Sequence, residues 1–142
     1  MRRAEPSPLI SKLIDIIGGY PEFAFALIYG SRAQDRARAD SDLDLAVAVD
    51  SRRRADPERL LDLSLECGKE LGIETQVRDL AAAEGLFLRE VLLNGRVVLM
   101  RDHLVLAALS SRMLVFTEDM LPNIRMMRAA QKERFFAGLD RY

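Results

Sequence analysis

Apolar residues recur along the chain at two spacings, and each spacing predicts a different secondary structure. Between Ser7, which suits a helix cap, and Gly18 the apolar residues share one helical face: Leu9, Ile10, Leu13, Ile14 and Ile17. A continuous apolar run from Phe23 to Tyr29 follows, which is typical of a strand covered on both sides. The chain is therefore predicted to open with a helix and a buried strand.

Strict alternation predicts a second strand over residues 42–49. One side of this strand carries the large apolar residues Leu43, Leu45, Val47 and Val49. The other side carries Asp42, Asp44, Ala46 and Ala48. A period of two indicates a strand with one buried face, so both acids are expected to point to the same side.

The remaining segments continue to alternate between helix and strand. A helix is predicted after Asp56, with an apolar face made of Leu60, Leu61, Leu65, Cys67 and Leu71. A strand over 73–77, a helix over 82–93 and a short strand over 97–100 come next. From Asp102 a long helical stretch is predicted, with a break or kink near Pro122. This order favours an α/β sandwich with a small mixed sheet packed by helices.

A heptad-like seam of apolar residues distinguishes the C-terminal stretch. Its members are Leu106, Leu109, Met113, Phe116, Met120 and Met127, interrupted at Asn123. The seam either packs on the core of its own domain or, being rich in methionine, provides an adaptable surface for another protein. We divide the chain into a domain over 1–101 and a C-terminal helical extension over 102–142, packed on that domain and on a partner.

Length and charge narrow the function classes. A chain of 142 residues suits one domain, and its net charge of −1 provides no overall field for nucleic acid or an anionic membrane. We therefore expect no direct nucleic-acid binding. Cys67 is the only cysteine, so it cannot form an internal disulfide. With no basic-then-apolar leader and no long apolar run, we expect a cytoplasmic protein without a membrane contact.

The candidate chemistry lies where the first buried strand ends. Gly30 and Ser31 are followed by ten residues and then by Asp42 and Asp44. Backbone N–H groups in such a turn can approach a phosphate, while two carboxylates on one strand face can hold a divalent metal. Two carboxylates about 4 Å apart repel by roughly 4 kcal/mol at an effective dielectric near 20, and a cation such as Mg²⁺ removes that repulsion. Phosphate and metal would then share one site.

Arginines in the intervening loop add candidate phosphate ligands. Arg32 directly follows Ser31, so its guanidinium is the best placed to clamp phosphate oxygens. Arg36 and Arg38 are expected to be solvated. Other chemistries lack their residues: His103 is the only histidine and suits a helix end, and no P-loop motif occurs.

The chain resembles the minimal nucleotidyltransferases of the DNA polymerase β superfamily in two segments, Tyr29-Gly30-Ser31-Arg32-Ala33 and Asp40-Ser41-Asp42-Leu43-Asp44-Leu45-Ala46-Val47. It is most similar to the antitoxin branch that is paired with HEPN-domain toxins. The resemblance implies a polymerase-β-like fold and the transfer of AMP from ATP, with Mg²⁺, to a tyrosine of a partner RNase toxin. It also implies that Gly30 and Ser31 hold the triphosphate and that the two aspartates bind metal and act in catalysis.

One position departs from the family pattern. The third carboxylate of the superfamily falls, by its spacing, on Gln76, and an amide cannot accept a proton from an attacking hydroxyl. Glu74 lies two residues earlier on the same strand face and is the alternative third acid. Two further interpretations therefore stay open: a non-catalytic antitoxin that inhibits its partner by contact, and, more weakly supported, a nucleotidyltransferase acting on a small alcohol.

Overall fold

A four-stranded mixed sheet lies between two pairs of helices in the computed structural model, which describes residues 1–34, 37, 38 and 40–139. The elements are α1 (Pro8–Gly18), β1 (Phe25–Tyr29), β2 (Leu43–Ala48), α2 (Pro57–Leu71), β3 (Thr75–Asp79), α3 (Gly85–Asn94), β4 (Arg96–Met100) and α4 (His103–Leu139). The strand order is β3-β2-β1-β4; β2 and β3 are parallel, and the other pairs are antiparallel. The predicted α/β sandwich with a mixed sheet is confirmed.

Capping residues begin the first two helices as predicted. The Ser7 hydroxyl accepts a hydrogen bond from the Ile10 N–H at 3.1 Å, and the Asp56 carboxylate accepts one from the Glu58 N–H at 3.0 Å. Gly72 ends α2 in the left-handed region at φ +68°, which favours glycine. These local interactions set the helix boundaries before any tertiary contact is considered.

Burial corrects two of the predicted faces. Strand β2 is not covered on one side only, because Ala46 and Ala48 are fully buried against the cluster contributed by α3 and α4. In α2, Leu61 and Leu65 are exposed, whereas Leu63 is buried with the predicted core residue Cys67. A step of four from Leu63 reaches Cys67, while Leu61 and Leu65 lie on another side of the helix.

Element boundaries differ from the predicted ones by two or three residues. The first strand begins at Phe25, the third runs over Thr75–Asp79, and α3 begins at Gly85 because a 3₁₀ turn occupies Leu80–Ala82. Helix α4 continues through Pro122, so the predicted break is wrong, and a kink there stays a prediction. A single proline removes one backbone hydrogen bond, and the helical bonds on either side keep the chain helical.

The seam of α4 packs on its own domain over its first half. Leu109 and Met113 are buried with Val105 in the same cluster as residues of α3, which confirms the core interpretation for this part. Met120 is 46% exposed, and the side chain of Met127 lies outside the part of the chain that the structure describes. Among the described helices, α4 included, no segment is long and apolar enough to cross a bilayer.

Candidate functional site

The turn after β1 lies directly against the second aspartate. The antiparallel register pairs Tyr29 with Asp44, and a 3₁₀ turn over Gly30–Arg32 follows at once. Gly30 has φ +74°, and a Cβ built on it would lie 2.5 Å from Asp44 Oδ2. The predicted phosphate turn and the predicted metal ligand are therefore immediate neighbours.

The two aspartates have the electrostatics expected of a metal-binding pair. Asp42 is exposed just before β2, and Asp44 is half-buried within that strand. Burial, and then the negative charge of Asp42, raise the pKa of Asp44, while the positive charge of Arg78 opposes the rise. A bound cation would relieve both unfavourable effects, so the oxygen ligands of this pair fit Mg²⁺.

The parallel pairing of β2 and β3 locates the third position. Gln76 is the register partner of Asp44, so its side chain lies beside the acid on the same sheet face. Glu74 precedes β3 and is exposed; its carbonyl accepts a hydrogen bond from the Leu43 N–H at 2.8 Å. Among the residues that the structure describes, no group of three or more His, Cys, Asp or Glu side chains is placed to hold a metal. Glu74 therefore does not join Asp42 and Asp44 in such a group.

Arg32 holds the loop before Asp42 in place by hydrogen bonds to its backbone. Its Nε and Nη2 atoms donate to the Ser41 carbonyl at 3.1 and 2.7 Å, and Nη2 also approaches the Arg38 carbonyl at 3.5 Å. Ser31 lies in the 3₁₀ turn, half-buried. Arg36 lies outside the described residues. The contacts of Arg32 are thus with the backbone next to Asp42, and its contact with phosphate stays a prediction.

Sequence reasoning missed three side chains beside the acids. The ring of Tyr29 meets that of Phe87 from α3 edge-on, with centroids 5.7 Å apart. The Arg78 guanidinium carbon lies 5.1 Å from the Phe87 centroid. Burial raises the pKa of Tyr29, as does Asp44, while Arg78 lowers it. A period of two from Gln76 points to Arg78, but nothing in the sequence pairs Phe87 with Tyr29.

Gly30→Ala should destabilise the fold and the site together. The new methyl group would meet Asp44 Oδ2, and the backbone at this position would force alanine into a positive φ. We therefore expect a loss of about 1–3 kcal/mol in the free energy of unfolding. Chemical denaturation measures this loss. Gly18→Ala is the control, since a Cβ there meets nothing within 4 Å. Equal stability of Gly30→Ala and the wild type would mean that Asp44 does not lie against the turn.

Stability without divalent metal should depend on the ionisation of Asp44. Because the pKa of Asp44 is raised on folding, the folded state holds a proton that the unfolded state has lost. The free energy of unfolding contributed by this group therefore falls as the pH rises from the ordinary aspartate pKa through the raised one. Urea unfolding in EDTA between about pH 4 and pH 7 measures the slope. Asp44→Asn should remove this component, and Asp15→Asn, an exposed change on α1, should retain it.

Comparison with known proteins gives one family and a consistent fold. The family model described as polymerase beta, nucleotidyltransferase matches residues 11–104. No curated protein matches the chain.

Similar solved structures belong to toxin–antitoxin complexes. A toxin–antitoxin crystal structure with AMP-PNP matches at a TM-score of 0.65 and 19% identity, covering 89% of this chain and 98% of that one. A chain from the structure of a tri-AMPylated Shewanella oneidensis HEPN toxin in complex with MNT antitoxin matches at a TM-score of 0.60 and 17% identity. The match covers 90% of this chain and 96% of that one. A chain from an MntA-HepT toxin–antitoxin complex matches at a TM-score of 0.59 and 17% identity, covering 90% of this chain and 97% of that one. The expected polymerase-β-like fold is confirmed.

Proposed function

Because this chain belongs to the polymerase β nucleotidyltransferase family, we propose that it is the antitoxin of a toxin–antitoxin pair and transfers AMP from ATP to a tyrosine of a HEPN RNase toxin. The observation that carries the proposal is the proximity of the Gly30 turn to Asp44, where a Cβ on Gly30 would lie 2.5 Å from Oδ2. We propose that the turn binds phosphate and that Asp44 binds metal. The fold shared with chains from HEPN toxin–antitoxin complexes supports the choice of partner.

In the proposed site each group has a separate task. Asp42 and Asp44 hold Mg²⁺, which when bound neutralises charge on the triphosphate. The absence of a Cβ at Gly30 lets the Gly30–Ser31 turn lie close to Asp44, so phosphates held by the turn would lie beside the metal. Arg32 keeps the loop before Asp42 in place through the Ser41 carbonyl.

The transfer exchanges one phosphorus–oxygen bond for another. The tyrosine oxygen of the partner bonds to the α-phosphorus of ATP as the bond to the β-phosphate oxygen breaks, and pyrophosphate leaves. Gln76 is the register partner of Asp44 and has the position that the resemblance assigns to the third acid. An amide cannot take the tyrosine proton, so we propose that this proton passes to water or to the leaving pyrophosphate. Positioning and charge neutralisation supply the rate, and transfer is expected to be slow.

The long helix α4 offers a surface for the toxin. Its 37 residues span about 55 Å, and its first part packs into the core. Beyond that part, Leu114, Val115 and Met120 are exposed by 54%, 57% and 46%. Contiguous exposed apolar surface is typical of a contact with another protein, and we propose that these side chains contribute to such a surface. We accordingly propose a hetero-oligomer in the cytoplasm, with the 102–142 extension contributing to the interface.

A second candidate function rests on Gln76. Because this amide takes the position of a third acid beside Asp44, the site can bind Mg·ATP without transferring AMP, and the protein would then inhibit its partner by contact alone. A nucleotidyltransferase acting on a small alcohol is less well supported. The solved structures similar to this chain come from toxin–antitoxin complexes, which favours a protein acceptor.

Intact mass of the partner separates these functions. We expect that a neighbouring-gene HEPN toxin co-expressed with this chain gains AMP-sized increments on tyrosine, and that Asp42→Asn removes them while the complex still forms. Inhibition of the RNase without any increment would identify the non-catalytic antitoxin. A toxin that is neither bound nor modified would overturn the proposal.

A further inference from the structure

A basic cavity lies on the sheet face opposite the aspartates. Its volume is about 510 Å³, and it opens between the start of α1, the turn over Gly30–Arg32 and β4. Ile28 lines the cavity and packs in the core cluster formed with α1 and α2. Leu45 is the register partner of Ile28 and shares its face of the sheet, so the neighbouring Asp44 points to the opposite face, on the α3 side. The cavity and the acidic pair are therefore separate sites on the two faces of one sheet.

Among the residues that the structure describes, four arginines line this cavity: Arg2, Arg3, Arg32 and Arg96. Glu5 is the single acid among these described lining residues. Since the whole chain carries a net charge of −1, such an excess of positive charge is a local feature and not a consequence of composition. Like charges gathered around one hollow repel each other, and an anion bound between them offsets that repulsion.

Backbone pairing brings these arginines together from three parts of the chain. The Ala4 N–H donates to the Val97 carbonyl, and the Val97 N–H donates to the Arg2 carbonyl, both at 2.8 Å, so the N-terminal segment lies beside β4. The register of β4 with β1 pairs Arg96 with Ile28. Arg32 follows β1 in the turn. Backbone hydrogen bonds of the sheet therefore bring the four arginines close together, so their proximity does not depend on flexible side chains alone.

The chemistry of the cavity favours an oligophosphate. Guanidinium groups match phosphate oxygens in pairs, and the positive end of α1, which Ser7 caps, lies at the same hollow. Leu9, Ile10 and Ile28 give one wall an apolar surface. We infer that this cavity binds a small oligophosphate, either free or carried by a nucleoside. The inference does not depend on the proposed function, because it uses the other face of the sheet.

Calorimetry with pyrophosphate in EDTA tests the inference. Without metal the acidic pair repels phosphate, so pyrophosphate binding in EDTA reports the arginine cavity. We expect this binding to be measurable in the wild type and unchanged in Asp44→Asn. Arg3→Gln and Arg96→Gln should each weaken binding about tenfold, since each removes a charge-assisted hydrogen bond. Arg53→Gln is the matched control: it removes the same charge from an exposed residue outside the cavity lining. Circular dichroism confirms that each variant is folded.

Several outcomes would overturn the inference. They are an absence of pyrophosphate binding in EDTA, a loss in Arg53→Gln equal to that in Arg3→Gln, or a loss in Asp44→Asn. A parallel titration with ADP identifies the source of the phosphate. Tighter binding of ADP than of pyrophosphate assigns the apolar wall to a nucleoside, and equal binding assigns the cavity to free oligophosphate.

Discussion

Asp44→Asn should abolish metal-dependent binding of ATP and, with it, AMP transfer. The substitution removes a carboxylate oxygen from a pair whose mutual repulsion is relieved by a cation, and Asp42 alone is a weak ligand for Mg²⁺. Loss of even an outer-shell partner commonly costs about 10–100-fold in metal affinity, so loss of a direct ligand should cost at least about 100-fold. Calorimetric titration with Mg·ATP measures the effect.

The fold should survive this change. Asparagine has nearly the same shape as aspartate, and the ionised carboxylate is already disfavoured at this half-buried position, so the metal-free protein should be as stable or slightly more stable. Asp15→Asn is the control, because it makes the same substitution on an exposed side of α1 and should bind Mg·ATP like the wild type. Unchanged affinity in Asp44→Asn would remove the metal role from this pair.

Local rules predicted the secondary-structure elements and the proximity of the Gly30 turn to Asp44, because both depend on short stretches of chain. The caps at Ser7 and Asp56 act within three residues, and the alternation around Asp44 needs only one strand. The neighbourhood of Gly30 and Asp44 follows from two adjacent antiparallel strands joined by a loop. Such features are encoded where they occur, so a single sequence can predict them.

The errors occurred where distant elements decide burial. Ala46 and Ala48 are small enough to lie under α3 and α4, but their alternation with large residues reads as a solvent face. Leu61 and Leu65 are apolar yet exposed, and the buried face of α2 is set by its contact with the sheet. The pattern of hydrophobic residues does not carry this information, because it depends on the element that arrives from elsewhere in the chain.

The same limit applies around the site. Phe87 reaches Tyr29 only because α3 packs across β1, and Arg32 was predicted as a phosphate ligand without knowledge that its guanidinium contacts the Ser41 carbonyl. Both sides of the sheet thus depend on the turn after β1. Its Gly30 end faces the acid on one side, and its Arg32 end lines the arginine cavity on the other.

Gln76→Glu should accelerate AMP transfer by about 100-fold or more. The register places this side chain beside Asp44, so a carboxylate there can accept the tyrosine proton and provide a further metal ligand. A general base commonly contributes about 10²–10⁴ in rate. The third negative charge should also lower stability in EDTA, and Mg²⁺ should restore it, because the added repulsion is relieved only by the cation. Single-turnover labelling of the toxin at saturating ATP measures the rate.

Two further variants test whether the faster AMP transfer in Gln76→Glu comes from the new carboxylate acting together with the metal at Asp42 and Asp44. Gln76→Met keeps the length of the side chain without an acid and should give no gain. The double variant with Asp44→Asn should lose the gain, because the new acid then lacks an intact metal pair to act with. Transfer that is measurable only in Gln76→Glu would identify the natural protein as a contact inhibitor that retains a nucleotide site. An unchanged rate in a folded Gln76→Glu would mean that removal of the tyrosine proton does not limit the reaction.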